Sequence, residues 1–374
     1  MRSFHGLGLS LVGAWLGLAA CQSQPAATTA ATTAAPTAAA HSSMSPSSKL
    51  LPFQTEKFSL SAAPGCADGY PATILEGRFI NSAGGSFPVP YGHFLRSAWT
   101  GSPIGWAVGE EMQAVPELLE IRWFSYTENK FYEGRFPLPQ QRLYDLLKTG
   151  FWDAGYKRHG TYTGFTASVL PTGEVLVWLD GGNNVFIGRY QARGISYDFA
   201  EFIPQADRAT VVREGLADVP PAVKREIATG TLNTKKWQAY LKTYPWQLTF
   251  SQPLTLTDFG LSLINGENLN YPPTPDLAAY TQAVLFAPTR KATPTDAMLY
   301  LAGAYGRKRL LKVETFDEHE TMSAFQTLAA QHPGETITLF VEIDERLTKA
   351  SLSLRAGRQV IPLTKSPLEF FDLP

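Results

Sequence analysis

The chain has little of three features that often reveal a function: cysteine, net charge and long apolar segments. Its 374 residues include two cysteines, Cys21 and Cys66, which excludes a framework of several disulfide bonds. Its formal net charge is -1, so no long-range field attracts nucleic acid or anionic lipid. We therefore predict no nucleic-acid partner, and we interpret Cys66 as a small buried or loop residue rather than a reactive thiol.

The apolar stretch near the N-terminus, residues 6–18, is too short to cross a membrane. It follows the positive charge of Arg2 and has about a dozen residues, where a spanning helix needs roughly 20. Such a segment is typical of a secretion signal that is cleaved. It leads into the sequence Leu18-Ala19-Ala20-Cys21, which resembles the lipobox of bacterial lipoproteins.

That resemblance implies that the signal peptide, residues 1–20, is removed and that Cys21 becomes a diacylated N-terminus inserted in the bilayer. Two or three acyl chains bury enough methylene groups for stable anchoring. The alternative is an ordinary signal peptide with a coincidental cysteine. By the same resemblance, Gln22 where inner-membrane lipoproteins carry aspartate points to the outer membrane. Because residues 23–25 lack an acidic run, we expect a protein that faces the periplasm.

Residues 21–49 form a predicted disordered tether. From Gln22 to Ser48 the sequence consists mainly of Ala, Thr, Ser and Pro and contains no formally charged residue and no aromatic. Such a segment cannot bury a core. A flexible chain of this length averages roughly 30 Å from end to end, so the folded part is expected to reach well beyond the membrane.

Two folded regions are predicted after the tether, residues 50–252 and residues 253–374. Alternating apolar and polar residues in the first predict strands, most clearly a hairpin with arms at 118–126 and 130–136. The second reads as strand, strand, helix, strand, strand. The predicted fold class is α+β, strand-rich, with antiparallel sheets, a few helices and two packed domains. The second region is a candidate structural repeat of the first, but no internal sequence repeat supports this idea.

Several aromatic landmarks of the first region recur in the order seen in a family of bacterial lipoproteins, domain-of-unknown-function family 2931. They are Trp99, Gly105-Trp106, Pro116-Glu117-Leu118, Trp123-Phe124-Ser125, Glu128 to Tyr132, Leu138-Pro139, Val177-Trp178-Leu179, Trp237, Tyr240 and Tyr244-Pro245-Trp246. The resemblance covers about residues 51–250. It implies a lipoprotein of a Gram-negative envelope and brings no catalytic residues. Some relatives look like immunity lipoproteins encoded beside antibacterial phospholipase effectors.

Three short polar segments are candidates for chemical sites. Residues 317–320 contain carboxylates and His319, yet an acidic first turn of a helix accounts for them better than a metal site. Residues 180–184 are interpreted as a hairpin turn rather than a calcium or phosphate loop. Residues 157–159 are interpreted as a solvated turn. We therefore predict no catalytic residue, no metal and no cofactor.

Three tryptophans, Trp99, Trp106 and Trp152, are candidates for a binding surface, although aromatics on strands more often belong to the core. We expect a membrane-anchored binding module for another envelope macromolecule, such as an effector protein. One alternative is an envelope hydrolase acting on lipid or glycan, with His93 or His159 beside a carboxylate. Another is a structural envelope component.

Overall fold

The computed structural model describes residues 50–101, 103–106, 111–303 and 307–373, which form a strand-rich α+β fold, as predicted. The predicted signal peptide, the lipobox at residues 18–21 and the tether lie outside the described residues. Leu50–Pro374 is one compact unit. No helix among the described residues combines the length and the apolar character needed to span a membrane.

The strands are numbered in chain order. In the first half they are β1 Lys57–Ser59, β2 Ser61–Cys66, β3 Ala72–Asn81, β4 Ser86–Pro88, β5 Phe94–Leu95, β6 Met112–Ala114, β7 Pro116–Ser125, β8 Lys130–Pro137, β9 Phe151–Asp153, β10 Arg158–Gly160, β11 Gly164–Val169, β12 Glu174–Asp180, β13 Asn184–Gln191 and β14 Arg193–Ile195. In the second half they are β15 Tyr244–Phe250, β16 Thr255–Leu263, β17 Thr289–Lys291, β18 Pro294–Ala302, β19 Lys308–Val313, β20 Ile337–Ile343, β21 Ala350–Ala356, β22 Gln359–Leu363 and β23 Leu368–Asp372.

The helices are short apart from one in each half. They are α1 Pro52–Thr55, α2 Gln140–Thr149, α3 Phe199–Phe202, α4 Arg208–Gly215, α5 Pro221–Thr229, α6 Lys235–Tyr240, α7 Leu277–Thr281 and α8 Glu318–Gln331. A π-helical turn, Gln282–Phe286, continues α7. Helices α3 to α6 follow one another between the last strand of the first half and the first strand of the second.

Four sheets carry the fold. Sheet I has the order β13-β12-β11-β2, and sheet II has the order β14-β8-β7-β3-β4 with β5 also paired to β3. Sheet III has the order β17-β15-β20-β21-β22, and sheet IV has the order β16-β18-β19-β23. The pairs β1-β6 and β9-β10 form separate two-stranded ladders.

The two halves share one connectivity. In sheet I, β2 lies parallel to β11, and β11, β12 and β13 form an antiparallel meander. In sheet III, β15 lies parallel to β20, and β20, β21 and β22 form the same meander. The antiparallel order β3-β7-β8-β14 recurs as β16-β18-β19-β23. Helix α2 follows β8 just as α8 follows β19. The second half is therefore a structural repeat of the first, although the two share no sequence repeat.

Each half buries a core between its two sheets and its longer helix. The first core joins inward residues of sheets I and II with Leu143 and Leu147 of α2. The second core joins sheets III and IV with Phe325 and Leu328 of α8 and also includes Trp178 of β12. Sheet I is therefore buried on both faces, and its outer face packs into the core of the second half.

Local sequence explains several element boundaries. The predicted hairpin is confirmed as β7 and β8, which pair from Leu118 with Pro137 to Ser125 with Lys130. Helix α8 begins at an N-cap, Asp317, whose carboxylate accepts a hydrogen bond from the backbone N–H of Glu320 at 2.8 Å. Tyr244–Phe250, which the predicted boundary at 252 assigned to the first region, pairs within sheet III.

Candidate functional site

The first candidate site is a cleft of about 430 Å³ at the meeting of the two halves, called here the junction cleft. Trp99, one of the predicted tryptophans, lines it from the loop after β5. Its ring stands edge to face against Trp178 at 5.2 Å and against Tyr240 of α6 at 5.7 Å between centroids. The two aromatic contacts fix this indole between the outer face of sheet I and the helical segment that follows it.

A tight turn of the second half forms another wall of the junction cleft, next to Thr100. The indole Nε1–H of Trp178 donates to the backbone carbonyl of Asn265 at 3.0 Å. Gly266 follows with φ +83°, and a Cβ there would lie 2.3 Å from Cγ2 of Thr100. Only glycine fits both the backbone conformation and this close approach.

Polar side chains line the rest of the junction cleft. The hydroxyl of Tyr240 donates to Oε1 of Glu318 at 2.7 Å, and burial together with this carboxylate raises the pKa of Tyr240. Asp68 accepts the backbone N–H of Ala98 at 3.0 Å. The ammonium of Lys236 lies 5.4 Å from the centre of the Tyr240 ring. The cleft thus combines aromatic rings with charges of both signs.

The second candidate site is a groove of about 400 Å³, called here the aromatic groove and lined among others by Tyr91, Phe94, Tyr126, Tyr197 and Phe202. Tyr91 is 46% exposed and Phe94 is 37% exposed, and because both line the same groove they form a cluster rather than scattered surface residues. Phe94 packs edge to face on Tyr126 at 4.9 Å, so its position is fixed although part of the ring meets solvent.

The structure places the predicted tryptophans in different surroundings. Trp106 packs edge to face on Tyr91 at 4.7 Å and so lies beside the aromatic groove. Trp152 lies in the short β9-β10 ladder, where its backbone N–H donates to the carbonyl of Pro272 at 2.7 Å. Trp99 shares no ring contact with either among the described residues. That any of them binds a ligand stays a prediction.

Asp180, at the end of β12, is a perturbed carboxyl group that the sequence interpretation treated only as part of the hairpin turn 180–184. Its Oδ2 accepts the hydroxyl of Thr166 at 2.6 Å, and its Oδ1 is buried without a hydrogen-bond partner among the described residues. Burial raises the pKa of Asp180 to about 6. The available signal was its place after Val175–Leu179, an uninterrupted apolar run typical of a strand buried on both faces.

Other polar groups considered from the sequence have structural partners. Glu320 accepts the backbone N–H groups of Thr364 and Lys365, both at 3.0 Å. His159 lies 3.2 Å from the carbonyl of Pro273 through Nε2, and His93 stacks edge to face near Trp106. Within the ranges that the structure describes, no three His, Cys, Asp or Glu residues are grouped to hold a metal ion.

A known protein family matches the first half of the chain. The profile of a family described as "Protein of unknown function (DUF2931)" matches residues 40–234, just over half of the chain. The chain therefore belongs to that family, as the landmarks from Trp99 to Leu179 indicated, whereas those from Trp237 to Trp246 lie beyond the matched residues. The match ends before β15 begins at Tyr244, so it covers the first half of the fold. No curated protein and no solved structure matches the chain.

Proposed function

We propose that this protein is a lipid-anchored lipoprotein of the bacterial envelope that binds a protein partner through the aromatic groove and catalyses no reaction. The observation that carries this proposal is the exposure of Tyr91 and Phe94 at a groove with fixed walls. Exposed aromatic clusters on a soluble body mark interaction surfaces, because burying such rings in a partner releases much apolar surface from water.

The composition of the aromatic groove and its rim matches that of protein interfaces. Tyr, Trp and Arg dominate the energetic centres of such interfaces. Here Trp106 packs on Tyr91, and the guanidinium of Arg96 lies 5.1 Å from the centre of the Phe94 ring. Because the rings already contact one another, a partner would meet a surface that loses little side-chain freedom on binding.

The anchor and tether complete the proposal. Acylation of Cys21 would hold the protein at the outer membrane on its periplasmic side, and residues 22–49 would let the folded body move roughly 30 Å from the bilayer. This reach suits a module that captures another envelope protein. In its narrower form, taken from the family resemblance, the partner is an antibacterial phospholipase effector and the protein acts as an immunity lipoprotein.

In-cell photocrosslinking tests the groove directly. A photoreactive phenylalanine analogue replaces Tyr91 in one strain and Tyr156 in the control strain. Tyr156 lies outside the groove and is 75% exposed. The control is therefore also a tyrosine, and its side chain is more accessible to solvent than that of Tyr91. We expect one dominant protein adduct from position 91 and none of that mass from position 156.

Two further variants decide what the adduct means. The double substitution Tyr91→Ala with Phe94→Ala should remove the same partner from affinity capture, and Cys21→Ala should reduce its recovery from membranes. Equal adducts from both probe positions would contradict the proposal. The immunity form fails if deletion of the gene leaves cells indifferent to the neighbouring effector.

A further inference from the structure

The junction cleft contains hydrogen-bonding groups that the fold does not use. Glu318 offers Oε1 to Tyr240, and Asp68 receives the N–H of Ala98 through Oδ1. Asp68, Glu318 and Lys236 are exposed, so water meets them in the free protein; among the described residues the second oxygen of each carboxylate makes no hydrogen bond, and Lys236 makes no ion pair. A carboxylate oxygen accepts hydrogen bonds and an ammonium donates up to three, so the cleft presents unused acceptors and donors together.

The charges of the cleft argue against an anionic ligand. Asp68, Glu267 and Glu318 line it beside Lys236. The three carboxylates outnumber the one ammonium and repel an anion, whereas a cation would leave the N–H donors of Lys236 unused. Glu267 is already engaged, because its carboxylate accepts hydrogen bonds from Phe186 N–H and from the Asn265 amide. The ligand that suits the remaining groups is uncharged and carries both donors and acceptors.

An aromatic ring supplies the second part of the recognition chemistry. Half-buried Trp99 lines the same cleft as the unused polar groups and offers most of the ring surface there, because Trp237 and Tyr240 are only 4% and 7% exposed. The face of an aromatic ring carries partial negative charge, so it favours contact with polarised C–H bonds. A pyranose ring has C–H bonds on its faces and hydroxyl groups around its edge, and each hydroxyl both donates and accepts.

We propose that the junction cleft is a binding site for an uncharged saccharide. Its volume of about 430 Å³ falls in the lower part of the range of small-ligand sites, roughly 300–1,000 Å³, and suits one or two pyranose rings. Walls come from both halves of the fold, with Asp68 and Trp99 in the first half and Glu318 in the second. The site is separate from the aromatic groove and does not depend on the function proposed there.

Calorimetric titration of the full chain tests the proposal. The protein is held in a detergent without a sugar head group, and the probes are chitotriose, maltotriose and trialanine. We expect at least one saccharide to bind and trialanine not to bind. Chitotriose alone would assign an N-acetylated sugar, and equal binding of both saccharides would assign the pyranose ring itself.

Variants connect binding to the cleft. Lys236→Ala and Glu318→Gln should each weaken saccharide affinity roughly tenfold, the effect of losing one hydrogen bond to a charged group. Glu318→Gln keeps an acceptor for Tyr240, so the fold is preserved. Lys235→Ala, the adjacent exposed lysine of α6 outside the cleft, and the pair Tyr91→Ala with Phe94→Ala should leave affinity unchanged.

Three results would overturn the saccharide site. They are the absence of heat with both saccharides at millimolar concentration, equal affinity in the Lys236→Ala and Lys235→Ala proteins, and preferential binding of trialanine. Loss of the protein partner in the crosslinking experiment would leave the saccharide result standing, so failure of the two proposals can be told apart.

Discussion

The two halves of this protein have one connectivity and two different patterns of burial. Sheet I of the first half is buried on both faces, and β12 reads as the continuous apolar run Val175–Leu179. The strands β15, β20, β21 and β22 of sheet III have the same order, but β21, the equivalent of β12, alternates the buried Leu352 and Leu354 with Ser351, Ser353 and Arg355. The difference shows that position in the molecule, rather than connectivity, sets the hydrophobic pattern of a strand.

The contacts of the second half explain why sheet I needs two apolar faces. Trp178 points outward from sheet I, and its ring packs against Trp99 and Phe186 while its indole N–H binds the carbonyl of Asn265. The outer face of β20 in sheet III carries Thr338, Phe340 and Glu342, none of which is fully buried. Sheet I is therefore an internal layer of the molecule, whereas the corresponding face of sheet III is partly exposed to solvent.

The largest expected effect comes from truncating the outward aromatic residue of each half. Trp178→Ala should lower the free energy of unfolding by about 3–5 kcal/mol, because it removes a fully buried ring and leaves a cavity. Phe340→Ala should lower the free energy of unfolding by less than about 2 kcal/mol. Its ring is already partly exposed to water, so its removal gives up less buried apolar surface. Urea denaturation of both variants measures the difference. Equal costs would mean that the two faces are not buried to different extents.

A smaller effect is expected from protonation of Asp180, because its folded-state pKa of about 6 exceeds the ordinary value of 3.8. Between these pH values the folded chain binds more protons than the unfolded chain, so stability falls as the pH rises from about 4 to about 6. The full contribution is on the order of 3 kcal/mol. Asp180→Asn keeps an acceptor for Thr166 and should remove this part of the pH dependence in urea denaturation.

Asp344 of the second half is the control for that experiment. It lies in the connection between β20 and β21 and accepts backbone N–H groups from Thr348 and Lys349. These hydrogen bonds lower the pKa of Asp344 to about 2. Its stabilising contribution is complete above about pH 4 and is lost as the pH falls toward 2. Asp344→Asn should therefore leave the slope of the unfolding free energy against pH unchanged between pH 4 and 6. A changed slope would contradict the assignment of that pH dependence to Asp180.

The elements that could be predicted from the sequence are those whose signals lie within one short stretch of chain. The β7-β8 hairpin was predicted because alternation and a short turn lie within one stretch of chain. Helix α8 was predicted because an acidic first turn marks its beginning locally. Trp99 was a predicted surface aromatic and does line a cleft, but the cleft also needs Glu318 and Gly266 from distant parts of the chain.

Long-range pairing accounts for what the sequence did not reveal. Tyr244–Phe250 contains Pro245, which weakens the local signal for a strand, and its parallel partner β20 begins at Ile337. The common connectivity of the halves was hidden for a related reason. Because sheet I has two buried faces and sheet III has one, equivalent strands carry different hydrophobic patterns, and a search for repeated sequence compares those patterns.

Although the two halves differ in burial, we expect them to unfold together, and Cys66 provides a probe of this. Cys66, at the end of β2, is fully buried, and burial raises the pKa of its thiol to about 12. In a Cys21→Ser protein it is the sole thiol, and at pH 8 iodoacetamide should label it at least about a hundredfold more slowly in the folded chain than in the unfolded chain.

The denaturant dependence of Cys66 labelling then separates two outcomes. The outer face of sheet I belongs to the core of the second half, so opening either half exposes apolar surface in both. We therefore expect labelling and the near-ultraviolet circular dichroism of the buried tryptophans to share one midpoint in urea. Labelling at clearly lower urea would show that the first half opens alone, as local unfolding allows, and the contact through Trp178 would then contribute little to cooperativity.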